Sequence, residues 1–386
     1  MNKKFIIVLL YDFQLILQSL KWVDCGFLDK KSTDFVVIFS IKLLRIPALI
    51  SKIPLIIRLV FSLKKHGYNI SFAFSMKSKK MKKYNKSGNF AIYSHNLDIE
   101  VLPRIIRDYG NVRHVFLGHG TSDKAYSFNK LIRLYDTICV SDETAFNALV
   151  RNGVVSEHEI KTDRIKVIGQ PPVMCNNPNI NTDVVRILYS PTHSGGVLKE
   201  NLCYSSLYNA CALRFFNILV SKKKIEVIFR PHPHTNIRKG LIYRANDFIR
   251  GVCDIEIVLN KFQSMRGLNA KHENVRIISE TSVLDFSGYD LVVTDISSML
   301  GGAVYAQVPA VCLINETIDR GLGDVSKIHG KYPLTKNSVI FFENEITNND
   351  SQIDVDELIL KSKLLIDATE RNVVKSFDDI IWNEKI

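Results

Sequence analysis

Short apolar runs alternate with segments of helix length along this 386-residue chain, and this alternation constrains its fold most. The runs predicted to be strands are Phe5–Leu10, Phe35–Phe39, Asn69–Phe74, Phe90–Tyr93, Val112–Leu117, Thr137–Val140, Ile165–Ile168, Arg186–Tyr189, Glu226–Phe229, Val275–Ile278 and Leu291–Thr294. Pro309 begins a further apolar run, Ala310–Leu313. Strands separated by helices form parallel sheets that are covered on both faces. The sequence therefore predicts an α/β protein.

The stretch Gln170–Asp183 contains three prolines and several asparagines, a composition typical of an interdomain linker. We expect an N-terminal Rossmann-like domain at 1–170, a linker at 171–185 and a C-terminal Rossmann-like domain at 186–386. A helix over Asp356–Thr369 is predicted to close the second domain. Two such domains would face a cleft where the carboxyl ends of their strands meet.

The cysteine pattern argues for a reducing compartment. Seven cysteines are scattered without a Cys-x-x-Cys pair, which disfavours a disulfide framework or a zinc site.

At the N-terminus, Phe5–Leu10 follows two lysines, but Asp12 interrupts the apolar run and no small-residue cleavage site follows. This favours a core strand over a signal peptide, and we expect a cytoplasmic protein.

The net charge of +12 comes from one segment of the chain. Between Phe35 and Leu97 there are twelve Lys and Arg residues and no Asp or Glu. Nucleic acid or anionic lipid would suit this charge, and the many Ile and Leu residues of Ile41–Leu63 favour lipid. Prolines and cations interrupt that run too often for a spanning helix. We expect segment 41–86 to lie on an anionic membrane surface; the alternative is a buried helix followed by a solvated basic loop.

The stretch Asp290–Leu313 predicts an anion site. A buried strand is followed by Asp295, Ser297 and Ser298, small oxygen-bearing residues where a helix should begin. Free backbone N–H groups, hydroxyl donors and the positive end of the helix dipole would converge there. The alternative is that Asp295 and Ser297 only cap the helix.

Three other turns follow predicted strands. Gly118–Lys124 exposes His119, a candidate general base whose unperturbed pKa of about 6.5 suits neutral pH. The residues of that turn predicted to bind substrate are Gly120, Thr121 and Lys124. A histidine in a Gly-rich turn can equally be structural.

The turn Arg230–His234 contains two prolines that would fix the aim of Arg230 and His232, and a guanidinium beside an imidazole suits a phosphate. The turn Tyr189–Gly196 offers the hydroxyls of Ser190 and Thr192. The alternatives are a rigid turn with an incidental cation and an ordinary flexible loop. The glycines form neither Gly-x-Gly-x-x-Gly nor a Walker lysine loop, so neither a dinucleotide nor an NTPase site is supported.

Four motifs in this order resemble those of the CDP-glycerol glycerophosphotransferase family, the teichoic-acid polymerases and their capsule relatives. The motifs are His119-Gly120-Thr121, Ser190-Pro191-Thr192, Arg230-Pro231-His232-Pro233 and Thr294-Asp295-x-Ser297-Ser298. The resemblance implies a two-domain GT-B fold, peripheral attachment to the inner membrane face, and no metal or cofactor. It also implies that His119 is the base and that Arg230, His232, Ser297 and Ser298 hold the donor phosphates.

The function expected from these patterns is transfer of a polyol phosphate from a CDP-linked donor, such as CDP-glycerol, with release of CMP. The acceptor would be a hydroxyl of a lipid-linked glycan or a growing polyol-phosphate chain, at the cytoplasmic face of the membrane and without nucleic acid. Departures from the family pattern at Gly118, His193 and Gly301-Gly302 bear on which polyol is moved. The alternatives are a GT-B glycosyltransferase that uses a nucleotide sugar and a non-catalytic scaffold.

Overall fold

The computed structural model places most of the two predicted sheets. It describes residues 3–10, 16–39, 46–73, 82–94, 102–117, 130–156, 158–162, 164–169, 183–192, 206, 211–230, 274–277, 286, 288–314, 325–342, 346, 352–367 and 377–378. The chain divides into two compact units. Unit 1 comprises 1–121, 125–172 and 371–386, and unit 2 comprises 122–124 and 173–370.

Unit 1 is an alternation of strands and helices. Its described strands are β1 (Lys4–Leu9), β2 (Thr33–Ile38), β3 (Asn69–Ala73), β4 (Phe90–Tyr93), β5 (Arg113–Phe116), β6 (Thr137–Val140) and β7 (Ile165–Val167). Its described helices are α1 (Ile16–Asp24), α2 (Ile46–Lys65), α3 (Leu102–Asp108), α4 (Glu143–Arg151) and α5 (His158–Lys161), with a 3-10 helix at Lys130–Leu134. These strands form one sheet in the order β3-β2-β1-β4-β5-β6-β7, and every pair is parallel.

The central strands of unit 1 are mostly apolar because both faces of the sheet are covered. All six residues of β1 are buried. Phe5, Ile7 and Leu9 pack into one core cluster, while Ile6 and Val8 pack into the cluster on the other face. Side chains alternate between the two faces of a strand, and in β1 the residues on each face include apolar ones that pack into a core. This is expected of a parallel sheet that is covered on both faces.

Unit 2 repeats this architecture. Its described strands are β8 (Val184–Tyr189), β9 (Leu219–Val220), β10 (Lys224–Phe229), β11 (Asn274–Ile277), β12 (Leu291–Thr294), β13 (Ala310–Ile314), β14 (Val339–Phe342) and β15 (Ile353–Asp354). Its described helices are α6 (Cys211–Ile218), α7 (Ser298–Tyr305), α8 (Val325–Lys331) and α9 (Val355–Asp367), with a 3-10 helix at Pro333–Asn337.

The main sheet of unit 2 has the order β11-β10-β8-β12-β13-β14, again with every pair parallel. Numbered within the unit, this is the order 3-2-1-4-5-6 of Rossmann folds, and the direction of winding reverses between β8 and β12. The prediction of an α/β protein with two Rossmann-like domains is therefore confirmed.

Some elements differ from the sequence-based expectations. The short strands β9 and β15, which pair with each other, and the edge strand β14 were not predicted.

We expected the second domain to run to residue 386, whereas 371–386 belongs to unit 1. There Phe377 is fully buried, its N–H donates to the Phe27 carbonyl, and Asp378 pairs with Lys4 at 2.7 Å. The ring of Phe377 packs against Phe27 and Phe90, and Asp378 supplies the partner that the buried cation of Lys4 requires.

The apolar, basic segment forms one helix over most of its apolar part. Helix α2 runs from Ile46 to Lys65 with Pro54 inside it. Leu63 is buried, and Ile56, Leu59 and Val60 pack partly against the core of unit 1. Within the described part of the chain, none of the helices has the length and hydropathy of a membrane-spanning segment.

Candidate functional site

The candidate site lies where the winding of unit 2 reverses. Strand β8 lies between β10 and β12, and the register places Tyr189 opposite both Phe229 and Val293. The residues that follow these strands therefore emerge at the same edge of the sheet. Ligands of doubly wound sheets bind at this edge, outside the carboxyl ends of the strands. Three of the four predicted motifs begin here.

Ser297 caps helix α7, and its hydroxyl proton is already used within the protein. The Ser297 Oγ accepts from the Met299 N–H at 3.1 Å and lies 2.8 Å from the Thr294 Oγ1. Thr294 donates its one hydroxyl proton to the Ser190 carbonyl at 2.7 Å. In the pair of hydroxyls Ser297 must therefore be the donor. This arrangement leaves Ser297 no proton for a ligand.

Ser298 differs from its neighbour. It is the first residue of α7 and is only partly buried, whereas Ser297 is buried. Within the described residues, no hydrogen-bond partner is found for its hydroxyl. The N–H groups of Met299 and Leu300 already donate to the Ser297 Oγ and the Ser297 carbonyl. The Oγ–H of Ser298 can therefore serve an anion, which the positive end of the helix dipole favours.

Arg230 follows β10 and reaches the start of the same helix. Its N–H donates to the Tyr189 carbonyl at 2.9 Å, and its Nη1 lies 3.7 Å from the Met299 Sδ. The side chain is partly buried. A guanidinium fork and a helix start thus lie side by side, although 69 residues separate Arg230 from Met299. Both favour phosphate oxygens.

Asp295 connects its own turn by hydrogen bonds to two other segments of the chain, those of Thr192 and Ser206. Its carboxylate is fully buried and accepts the Thr192 N–H at 2.9 and 3.0 Å. It also accepts the N–H of Ser206 at 2.9 Å and the hydroxyl of Ser206 at 3.2 Å. The Tyr189 hydroxyl lies 3.0 Å from the Ser206 Oγ and must donate to it, because the proton of Ser206 goes to the carboxylate.

Ser190 and Thr192, both buried, also serve the scaffold. The Ser190 N–H donates to the Val293 carbonyl at 3.0 Å, and its hydroxyl donates to the Arg230 carbonyl at 3.2 Å. These bonds tie the ends of β8, β10 and β12 together. Sequence reasoning missed Ser206, which lies in no motif and is 89 residues from Asp295 along the chain, so no local signal marks it.

The remaining predicted site residues lie outside the described part of the chain. They are His119, Gly120, Thr121, Lys124 and His232. Nearby in sequence, His114 is buried, and its Nε2 donates to the Tyr109 carbonyl at 3.1 Å. Its Nδ1 therefore accepts from the Tyr93 hydroxyl at 2.8 Å. Burial lowers the pKa of His114 below its usual value, and with both nitrogens occupied this imidazole is structural.

Metal ligands do not cluster in the described ranges, where no group of three or more His, Cys, Asp or Glu side chains could hold an ion. The charge that the candidate site offers to an anion comes instead from Arg230 and from the start of α7. Fold and site together define a Rossmann-like unit with a candidate anion site at its switch point.

No protein-family model and no curated protein matches the chain. Similar solved structures include the wall teichoic acid polymerase TagF, with 12% identity and a TM-score of 0.49 over 99% of this chain and 86% of that one. MurG from Acinetobacter baumannii has 10% identity and a TM-score of 0.44 over 96% of each chain. A protein described as a UDP-N-acetylglucosamine 2-epimerase from Listeria monocytogenes has 12% identity and a TM-score of 0.49, over 98% and 93%. At these values the similarities assign neither a family nor a function.

Proposed function

We propose that this protein is a transferase of cell-envelope polymer synthesis that moves a polyol phosphate from a CDP-linked donor such as CDP-glycerol. The acceptor is a hydroxyl of a surface glycan, a teichoic-acid-like chain or a capsule chain, and CMP is released. The proposal joins the four sequence motifs, which resemble those of the glycerophosphotransferases, to the anion site of unit 2.

One observation carries the proposal. Arg230 and the first turn of α7 lie side by side at the switch point of the sheet, with the Arg230 Nη1 3.7 Å from the Met299 Sδ. A donor of this class carries a diphosphate, whose charge must be neutralised while one phosphorus is attacked. Phosphoryl transfer depends on positioning and electrostatic stabilisation more than on covalent help from the protein. A guanidinium and a helix start supply both.

The reaction forms one bond and breaks another at the same phosphorus. The acceptor oxygen bonds to the phosphorus that carries the polyol, and the bond from that phosphorus to the bridging oxygen of CMP breaks. In the proposal Arg230, Ser298 and His232 hold the diphosphate, and Asp295 and Ser297 keep the turns in place. His119 takes the proton of the acceptor hydroxyl, a role that rests on the sequence resemblance. Only its neutral imidazole can accept that proton.

In the proposal the acceptor is linked to lipid, so the enzyme acts at a membrane surface. The basic, apolar segment 41–86 supports a position at the cytoplasmic face of a membrane, with an anionic surface as a partner. No nucleic acid enters the proposal. The scaffold around the anion site does not discriminate between donors, so a transferase that uses a nucleotide sugar is the alternative outcome of the test below.

A donor screen tests the proposal. The protein is incubated with CDP-glycerol, CDP-ribitol and a panel of UDP- and GDP-sugars, together with membrane extract as the source of acceptor, and the released nucleotide is identified. We expect CMP from a CDP-polyol. Release of UDP or GDP from a sugar donor would favour the alternative. If no donor is consumed and none raises the melting temperature, the protein is a scaffold and the proposal is wrong.

A further inference from the structure

Met299, the second residue of α7, places its sulfur atom beside the guanidinium of Arg230. The Arg230 Nη1 donates to the Met299 Sδ at 3.7 Å. The Met299 N–H donates to the Ser297 Oγ, and the Met299 side chain packs partly against the apolar cluster that includes Leu300 and Val304. The backbone and the side chain of Met299 are therefore both anchored, and the sulfur has a defined position next to the cation.

A thioether is a weak hydrogen-bond acceptor, and this weakness suits its position at an anion site. Phosphate oxygens are charged and bind a guanidinium through strong, often bidentate hydrogen bonds. The Met299 sulfur can therefore keep Arg230 in place without competing with an anion. An oxygen acceptor at the same position would compete, because it would accept the same N–H group more strongly than sulfur does.

Oxidation by a peroxide would give Met299 such an oxygen. A lone pair of the thioether sulfur bonds to one oxygen of hydrogen peroxide, the O–O bond breaks, and water leaves. The sulfur is oxidised by two electrons and the peroxide is reduced by two. The product, methionine sulfoxide, is polar, and sulfoxide reductases return it to methionine. Met299 is only partly buried, so a small oxidant can reach it.

We infer that Met299 is a redox-sensitive positioning residue for Arg230. In the reduced protein the thioether keeps the guanidinium oriented for the anion. In the oxidised protein the sulfoxide oxygen accepts the Arg230 N–H and holds the guanidinium away from the anion. Peroxide therefore weakens binding of the donor diphosphate, and reduction of the sulfoxide restores it.

The inference rests on the proposed function, since it needs an anion beside Arg230. Inorganic pyrophosphate is the probe, because it carries the diphosphate without the cytidine or the polyol. Pyrophosphate affinity that oxidation of Met299 leaves unchanged would contradict the inference alone. A protein that consumes only a nucleotide sugar would contradict the proposed function alone. A reduced protein that binds neither pyrophosphate nor any donor would contradict both.

The test is calorimetry of the full chain with pyrophosphate before and after treatment with hydrogen peroxide, with oxidation of Met299 verified by mass spectrometry. We expect oxidation to weaken binding about tenfold, the loss expected when one charge-assisted hydrogen bond is diverted. Methionine sulfoxide reductases of both stereospecificities should restore the affinity. Dithiothreitol alone, which reduces cysteine disulfides, should not restore it.

Met299→Leu is the matched control, because leucine preserves the apolar packing and has no sulfur to oxidise. It should bind pyrophosphate within about threefold of the reduced wild type, as expected of a swap that conserves side-chain volume, and should not respond to peroxide. The variant retains the other methionines and all seven cysteines. An equal loss of affinity in peroxide-treated Met299→Leu would therefore trace the effect to another residue and overturn the inference.

Two further measurements separate diversion of Arg230 from disruption of α7. Met299→Gln places an amide oxygen near the position of the sulfoxide oxygen and should weaken pyrophosphate binding without any oxidant. Without ligand, peroxide should lower the melting temperature of the wild type no more than that of Met299→Leu, since the sulfoxide gains a hydrogen bond to a cation. A larger decrease in the wild type would show that oxidation disrupts α7, and the inference would be wrong. It would also be wrong if Met299→Gln bound pyrophosphate as tightly as the wild type.

Discussion

At the start of α7, two neighbouring serines differ in whether their hydroxyl groups already form hydrogen bonds within the described part of the protein. Ser297 donates to Thr294 and accepts from the Met299 N–H, so its hydroxyl belongs to the scaffold. Ser298 is partly buried and begins the helix. The residue types alone could not separate the two roles, because they depend on the donation from Thr294 to the Ser190 carbonyl across the sheet.

We therefore predict opposite effects for two alanine variants. Ser297→Ala removes a helix cap and should lower stability by about 0.5–2 kcal/mol, with little change in affinity for the donor. Ser298→Ala should leave stability nearly unchanged and weaken donor binding by about 1.5–3 kcal/mol, the usual contribution of a hydrogen bond to a charged group. Thermal unfolding and calorimetry with CDP-glycerol measure the two quantities.

Ser326→Ala is the control for the serine pair, since Ser326 is an exposed residue in the first turn of α8 in the same unit. It should change neither quantity. The same loss of affinity in Ser297→Ala and Ser298→Ala would show that the Ser297 hydroxyl also binds the donor, and that its assignment as a donor to Thr294 alone is wrong. Unchanged affinity in Ser298→Ala would remove Ser298 from the site.

At the scale of elements, α7 is packed closely at Gly302. A Cβ placed there would lie 2.9 and 3.1 Å from two ring atoms of Phe286, which is buried. The paired glycines Gly301-Gly302 depart from the pattern of the resembling family, and the contact with Phe286 gives a physical reason for the second of them. A larger residue would have to displace the ring.

Gly302→Ala tests this packing against helix propensity. Alanine in a helix gains about 1 kcal/mol over glycine, while overpacking a core costs about 1–3 kcal/mol. We expect the cost to exceed the gain, so Gly302→Ala should lower the melting temperature. Gly330→Ala in α8, where a Cβ meets nothing within 4 Å, is the matched control and should be neutral or stabilising. A stabilised Gly302→Ala would contradict the packing seen at Phe286.

The strands were predictable because a parallel sheet covered on both faces needs continuous apolar runs. The run Leu291–Thr294 is a strand with the predicted bounds, and so is Thr137–Val140. Strands β9 and β15 have two residues each, too few for a periodic signal. Strand β14 follows α8, a helix in which Ile328 is the residue that reaches the core, so the alternation of strand and helix is weak there.

At the scale of the whole molecule, contacts between distant parts of the chain left no local signal. Lys4 and Asp378 pair across 374 positions, and Phe377 packs against Phe27 and Phe90. Nothing in the sequence near Phe377 identifies those partners. The same limit applies to Ser206 and Asp295 at the candidate site. Sequence could predict which residues follow strands, and therefore that Arg230 lies beside the start of α7. It could not predict which hydroxyls are already used.

Binding of the donor diphosphate by Arg230 and the start of α7 can be measured by calorimetry with CDP-glycerol. Arg230→Ala should weaken binding about tenfold to a few hundredfold, and Arg230→Lys should recover only part of it, because the bidentate fork is lost. Arg214→Ala, an exposed arginine of α6 in the same unit, should bind as wild type does. Wild-type affinity in a folded Arg230→Ala protein would show that Arg230 does not hold the diphosphate.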